Sequence, residues 1–252
     1  MNLFDLSEKC AIVTGGNRGL GRGMAEGLCE AGAKVVIMAS SDSVADSARE
    51  LSSKGYNVCG VQCDLASNES IHRSFEKAVS LLGSNVDILV NNAGIQRRNR
   101  CEDFTLADWD DVLNVNLRAV FTMCQLAGRH MLERSGGKII NVASMLSYFG
   151  GVTVPAYAAS KGGVAQLTRA LSNEWAQRGI NVNAIAPGYM ATEMNTKLME
   201  DEKRNTEILA RIPAGRWGTP QDVKGITVFL ASAASDYLNG AVIPVDGGYL
   251  GR

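Results

Sequence analysis

The sequence predicts an α/β fold: a doubly wound parallel sheet with helices on both faces, in a single domain over residues 1–252. Short apolar runs rich in Val and Ile alternate with longer stretches of helical period. The runs are near-continuous rather than alternating in polarity, as expected for strands covered on both faces. No linker, low-complexity segment or internal repeat breaks the rhythm.

Strands are expected at 9–14, 34–39, 57–62, 87–91, 138–142 and 180–186, with a last one at 242–245. Helices are expected at 19–31, 44–53, 67–82, 106–134, 155–178 and 220–230. Ser67, with Ser70 behind it, suits the start of the third helix, and Pro220 suits the first turn of the last. The segment 189–213 departs from the pattern, being polar and charged with helical stretches but no strand. Following the sixth strand, it would lie at the sheet edge where such folds bind ligands, and reads as a substrate lid.

The 25 basic and 26 acidic residues leave a net charge of −1 and are mixed along the chain. No basic stripe points to nucleic acid and no polybasic cluster to a lipid surface. No apolar run has the length of a membrane span, and the first nine residues lack a signal pattern, so a cytoplasmic protein is expected. The six cysteines read as reduced, mostly buried thiols, and with only two histidines, His72 and His130, no metal site is expected.

The first strand runs into Thr14-Gly15-Gly16-Asn17-Arg18-Gly19-Leu20-Gly21. Glycines permit a tight turn and let backbone N–H groups approach a pyrophosphate, while the following helix turns its positive end to that anion. The second strand ends Ala39-Ser40-Ser41, without the carboxylate that would grip an NAD ribose. Arg18 could reach a 2′-phosphate, and Ser40 and Ser41 could donate to it. NADP(H) is therefore favoured, with NAD(H) as the alternative.

Tyr157-Ala158-Ala159-Ser160-Lys161 opens a helix, and its spacing sets Tyr157 and Lys161 on one face. A neighbouring ammonium would lower a phenol's pKa from about 10, making it a usable acid–base group. Ser144, after the strand at 138–142, could hold a substrate oxygen against Tyr157, with Ser147 as a nearby rival.

These residues, together with Asp64-Leu65, Asn91-Asn92-Ala93-Gly94, Asn116, Pro187-Gly188 and Thr192, resemble the short-chain dehydrogenase/reductase family over essentially the whole chain. The resemblance implies a Rossmann fold with a seven-stranded parallel sheet and a homotetramer. It makes Tyr157 the general acid or base and Ser144 the group that orients the carbonyl or hydroxyl. It has Lys161 bind the nicotinamide ribose and lower the Tyr157 pKa, and Asn116 hold the water of a proton relay. Cofactor contacts would come from Gly15, Asn17, Arg18, Gly19, Leu20 and Gly21, then Ser40, Ser41, Asp64 and Leu65. Asn91, Ala93 and Gly94 would line a ribose, and Pro187, Gly188, Met190 and Thr192 would flank the nicotinamide.

Arg97 and Arg98 follow the Asn91–Gly94 motif, and Arg211 and Arg216 lie beyond the lid; such arginines suit carboxylates. Segments 95–98, 143–147, 186–192 and 211–218 resemble the sugar-acid branch of the family, which acts on 2-dehydro-3-deoxy-D-gluconate, 2-deoxy-D-gluconate or gluconate. Arg97, Ser144, Leu146, Tyr157 and Tyr189 would then touch a keto sugar acid. Ala39-Ser40-Ser41 with Arg18 also resembles 3-oxoacyl-[acyl-carrier-protein] reductases, for which Arg129, His130 and Arg134 would be docking candidates. A non-catalytic dinucleotide-binding protein is the remaining alternative, and the intact Ser144, Tyr157 and Lys161 set argues against it.

Overall fold

The strands are β1 Cys10–Thr14, β2 Lys34–Ala39, β3 Val58–Gln62, β4 Ile88–Asn91, β5 Gly137–Val142, β6 Ile180–Pro187 and β7 Val242–Val245 in the computed structural model. It describes residues 3–134 and 136–252; residues 1, 2 and 135 of the expected domain lie outside the described residues. The strands form one seven-stranded sheet in the order β3-β2-β1-β4-β5-β6-β7, every pairing parallel. The expected Rossmann architecture is thus present.

Successive strand residues face opposite sides, and both sides are apolar. Ile12, Val36, Leu89, Ile139 and Val182 pack against Phe75 of α3 (Asn68–Leu81), Met123 and Met131 of α5 (Ala119–Leu132), and Leu171 and Trp175 of α6 (Pro155–Trp175). Val13, Val35, Ile37, Val90 and Ile140 pack on the other side against Met24 and Leu28 of α1 (Gly19–Glu30), Leu51 of α2 (Val44–Ser53) and Leu230 of α9 (Lys224–Ala231). Each such fully buried side chain contributes about 1.5–3 kcal/mol.

Ser67 caps α3 as expected, its Oγ accepting from Ser70 N at 3.2 Å. Pro220 opens a 3-10 turn, Pro220–Val223, that leads into α9. The expected helix over 106–134 is in fact three pieces: α4 Leu106–Leu113, a π turn Asn114–Arg118, and α5. The segment 189–213 holds a 3-10 turn Glu193–Asn195, α7 Thr196–Glu200 and α8 Glu202–Leu209. Among the described residues, no helix is long and apolar enough to cross a membrane.

Candidate active site

The strand order reverses direction between β1 and β4, and the loops leaving the carboxyl ends of these strands must part there. A cleft of about 1300 Å³ opens at that point. Its two walls are stitched together. Thr14 Oγ1 accepts from Asn92 N at 3.1 Å and from Ala93 N at 3.2 Å, while Asn92 Nδ2 donates to Thr14 O at 3.0 Å and to Gly15 O at 3.2 Å. Gly15 sits at φ +65°, where a side chain would be strained, and a Cβ on Gly21 would run into Gly15 O.

Gly15, Asn17, Arg18, Gly19 and Leu20 line the cleft. Arg18 precedes α1 without a capping side-chain bond, and the first turn contains no acid. The helix therefore turns unneutralised N–H groups to the cleft, which fits the pyrophosphate of a dinucleotide. Gly21 does not line the cleft; its part is to let α1 pack against the turn.

Ser40, Ser41, Asp64 and Leu65 line one end. The first acid after β2, Asp42, is turned away: its Oδ1 accepts from Gln62 Nε2 at 2.6 Å. Among the described residues, no carboxylate of the 39–42 stretch lines the cleft, and Asp64 reaches the same end from beyond β3. Arg18 is engaged by the other side of the cleft, its Nη1 lying 2.6 Å from Glu193 Oε2.

Ser144, Tyr157 and Lys161 meet on the same cleft. Ser144 caps a 3-10 turn, Met145–Ser147, its Oγ accepting from Leu146 N at 3.1 Å. Ser147 is occupied elsewhere, donating to Lys161 O at 2.7 Å and accepting from Ser144 N at 3.3 Å, which leaves Ser144 as the hydroxyl on the cleft.

Lys161 and Tyr157 are neighbours without a hydrogen bond between them. Lys161 is 3% exposed, and its Nζ donates to Val142 O at 2.6 Å while lying 5.7 Å from the Tyr157 ring centroid. Burial pushes the Lys161 ammonium down to about 8. Burial also raises the Tyr157 phenol above its ordinary value; the Ser144 hydroxyl and the Arg98 charge work the other way. Four-residue spacing aligns the two side chains but leaves the ammonium bound to a strand carbonyl rather than to the phenol.

Asn116 lies beneath the cleft, fully buried in the π turn. Its Oδ1 accepts from Ile95 N at 2.8 Å, and its Nδ2 donates to Ile95 O at 2.9 Å and Ser160 Oγ at 3.3 Å. Its side chain thus fastens the chain leaving β4 to α6. Asn91 is likewise internal, donating to Asn141 Oδ1 at 2.9 Å and Cys124 Sγ at 3.2 Å. Ala93, Gly94, Pro187, Gly188, Met190 and Thr192 do line the cleft.

At the substrate end the expected residues divide: Arg97 lines the cleft, and Leu146 and Tyr189 do not. Arg97 also faces Asp108 Oδ1 at 3.3 Å and Asp111 Oδ2 at 3.5 Å from α4, in partly exposed pairs. Its neighbour Arg98 lines the cleft beside Tyr157 and has no carboxylate partner among the described residues. Burial, and then the nearby charge of Arg204, lower the Arg98 pKa. Leu146 lies against Gly151 rather than the cleft. Tyr189 packs edge-on between Trp217 and Tyr249, each at 5.4 Å between ring centroids, in a small apolar cluster.

Arg211 stacks over Tyr249 at 4.5 Å, and Arg216 grips Asp222 with two bonds of 2.8 and 2.7 Å. Lys197 and Arg204, which the sequence reading passed over, line the cleft from the 189–213 segment, as does Glu193. Their signal was charge in a segment already read as a lid. Arg129 and His130 line a separate groove with Phe75, Glu76 and Val79.

A family model described as Enoyl-(Acyl carrier protein) reductase matches residues 15–250. The chain is 49% identical to a 2-dehydro-3-deoxy-D-gluconate 5-dehydrogenase of Escherichia coli, covering 100% of this chain and 99% of the relative. It is 40% identical to a gluconate 5-dehydrogenase of Gluconobacter oxydans, over 98% of this chain and 96% of that one. Among solved structures, a gluconate 5-dehydrogenase from Burkholderia cenocepacia in complex with NADP and tartrate superposes with a TM-score of 0.95 at 40% identity, covering 100% of this chain and 98% of the other.

Proposed function

The chain belongs to the short-chain dehydrogenase/reductase family and is an oxidoreductase acting on CH–OH groups, and on that premise we propose that it interconverts a secondary alcohol and a ketone on a sugar acid. The substrate class is that of 2-dehydro-3-deoxy-D-gluconate, 2-deoxy-D-gluconate or gluconate, and the cofactor is NADP(H) in preference to NAD(H). One observation carries the substrate class: Arg98 is a cation beside Tyr157 with no carboxylate of its own among the described residues. Its guanidinium fork suits the carboxylate of a sugar acid.

The glycine turn and the start of α1 hold the pyrophosphate, Ser40, Ser41 and Arg18 take the 2′-phosphate, and Asp64 meets the adenine. Ala93 and Gly94 line a ribose, Lys161 holds the nicotinamide ribose, and Pro187, Gly188, Met190 and Thr192 flank the ring. When bound, the nicotinamide supplies or accepts the hydride. Tyr157 gives its proton to the carbonyl oxygen in reduction and takes it back in oxidation. A phenol is protonated at neutral pH, which suits the acid role. Ser144 donates to the same oxygen and stabilises the charge that develops there. Arg98 fixes the distance between that oxygen and Tyr157 by holding the far end of the substrate. Asn116 is a positioning residue that acts through Ile95.

Residues 189–213 act as the lid, a reading supported by the Glu193, Lys197 and Arg204 contributions to the cleft wall. The protein is further proposed to be a cytoplasmic homotetramer; exposed apolar side chains such as Leu106 and Phe121 favour association.

The test is a panel of keto sugar acids and an acyl thioester, each with NADPH and NADH. Turnover of sugar acids with NADPH is expected, and turnover of the thioester alone would overturn the substrate class. Arg98→Gln is expected to raise KM for sugar acids by about 10–100-fold, as loss of a charged hydrogen bond does, with a smaller change in kcat.

A further inference from the structure

We propose that Glu193 is a determinant of cofactor choice: it competes with the 2′-phosphate of NADP for the Arg18 side chain, and so ties that choice to the first turn of the lid. The proposal rests on the reading of Arg18 as a 2′-phosphate ligand.

Arg18 stands immediately before α1 with an extended backbone and no role in capping the helix. Its guanidinium is therefore free of structural duty, and its long side chain can serve either wall of the cleft. On one wall lie Ser40 and Ser41 at the end of β2; on the other lies Glu193, directly after Thr192. In this structure the side chain is on the second wall, 2.6 Å from Glu193 Oε2, and the pair joins positions 175 residues apart in sequence. The two side chains are 72% and 74% exposed, so the pair is solvated and labile.

A 2′-hydroxyl cannot draw Arg18 from a carboxylate, whereas a 2′-phosphate carries more charge and more acceptor oxygens and can. Binding NADP thus requires the pair to break; binding NAD does not. Glu193 has a second cation to turn to, Lys197, four residues further along the same helical run and on the same cleft. The exchange moves a lid side chain from the cofactor wall back into the lid.

Of the other charged groups nearby, Asp64 lines the same end as Ser40 and Ser41 and is common to every variant, so its effect on the ratio does not depend on Glu193. Asp42 is held by Gln62, and Arg97 is held by Asp108 and Asp111. Repulsion between Glu193 and the pyrophosphate weakens both cofactors alike and cancels in their ratio.

Dissociation constants of NADP+ and NAD+ are to be measured by calorimetry for the wild type, Glu193→Gln, Arg18→Ala and the double variant. Glu193→Gln is expected to raise the NADP+/NAD+ affinity ratio by up to about fivefold, the equivalent of an exposed ion pair. In the Arg18→Ala background the same change is expected to leave the ratio alone. If Arg18→Ala lowers the ratio but Glu193→Gln does not raise it, the competition is overturned and the Arg18 reading stands. If Arg18→Ala leaves the ratio unchanged, the reading of Arg18 falls and the competition with it. An equal gain for both cofactors in Glu193→Gln reduces Glu193 to a source of general repulsion and likewise overturns the proposal.

Discussion

Replacing Lys161 with methionine is expected to abolish turnover while removing a pH-dependent penalty from the folded chain. Lys161 is 3% exposed, and its ammonium is held at about 8 rather than 10.5 by burial, with one strand carbonyl, Val142 O, as its hydrogen-bond partner. A base with a lowered folded pKa carries fewer protons folded than unfolded between those two values, so stability rises with pH across that window. Below about 8 the protein bears the whole penalty, about 3 kcal/mol, and above 10.5 it bears none. Between pH 7 and pH 10 the wild type therefore regains most of this, on the order of 2–3 kcal/mol, from this one group. Methionine has a similar shape and no charge, so the variant lacks that gain. It also strands Val142 O without a partner, a cost of about 1–3 kcal/mol that does not vary with pH. Urea unfolding of both proteins at several pH values separates the two terms, because all other titrating groups cancel in the difference. The advantage of the variant over the wild type should shrink by on the order of 2–3 kcal/mol from pH 7 to pH 10. A difference that stays flat across this range would refute the account of Lys161 as a buried, penalised cation.

Tyr157→Phe is expected to lower kcat by on the order of 10²–10⁴-fold with NADP+ binding retained, checked by steady-state rates and calorimetry; near-normal turnover would remove Tyr157 as proton carrier. Ala39→Asp puts a carboxylate on the cleft wall beside Ser40 and Ser41, and should shift the kcat/KM ratio toward NADH by on the order of tenfold or more. Asp222 accepts two bonds from Arg216 and two from Thr219, and the Arg216 guanidinium above all holds its carboxyl well below 3.8. A lowered folded pKa gives stability that is present above 3.8 and lost as pH falls, so Asp222→Asn should cost about 1 kcal/mol at pH 7, the pair being partly exposed, and little in strong acid. Thermal melts at both pH values would expose a pH-independent loss, which would contradict this.

The sheet was legible because its strands are buried on both faces. Val35-Val36-Ile37 and Ile88-Leu89-Val90 supply apolar side chains to both sides at once, and few other structures need that. The glycine turn was legible because Gly15 at φ +65° and the close approach at Gly21 tolerate no other residue without strain or collision. What stayed hidden depends on the direction of single side chains in irregular backbone. Arg97 and Arg98 are chemically identical neighbours, and only the position of α4 with Asp108 and Asp111 decides which is neutralised. Tyr189 leaves the cleft because Trp217 and Tyr249, distant in sequence, form an apolar seat for it. The spacing of Tyr157 and Lys161 revealed a shared face but not the carbonyl at the end of β5 that takes the ammonium. The sequence 106–134 offers no Gly or Pro at its break, so a pattern with a fixed helical period reads straight through it.

That break acts as a phase adjuster. Val112, Asn116, Val120 and Cys124 follow one another at four-residue steps and are all buried. In an unbroken α-helix each such step drifts by about 40°, and the row would wind off the sheet. The wider π turn at Asn114–Arg118 absorbs the drift, so the apolar stripe of α5 and the amide of Asn116 point inward together. The turn spreads one extra residue over its wider i→i+5 bonds, so removing that residue would restore an ordinary helix with α5 close to its present phase, whereas removing one from α5 itself would rotate everything beyond it by about 100°. Met123, Ala127 and Met131 would leave the core only in the second case, while loss of Asn116 itself would unfasten Ile95. The helix can therefore be made regular without surrendering the packing of α5, and what the turn secures is the inward amide of Asn116 with its hold on the loop that carries Arg98, so a deletion should be tolerated far better at 114–118, provided Asn116 is kept, than within α5.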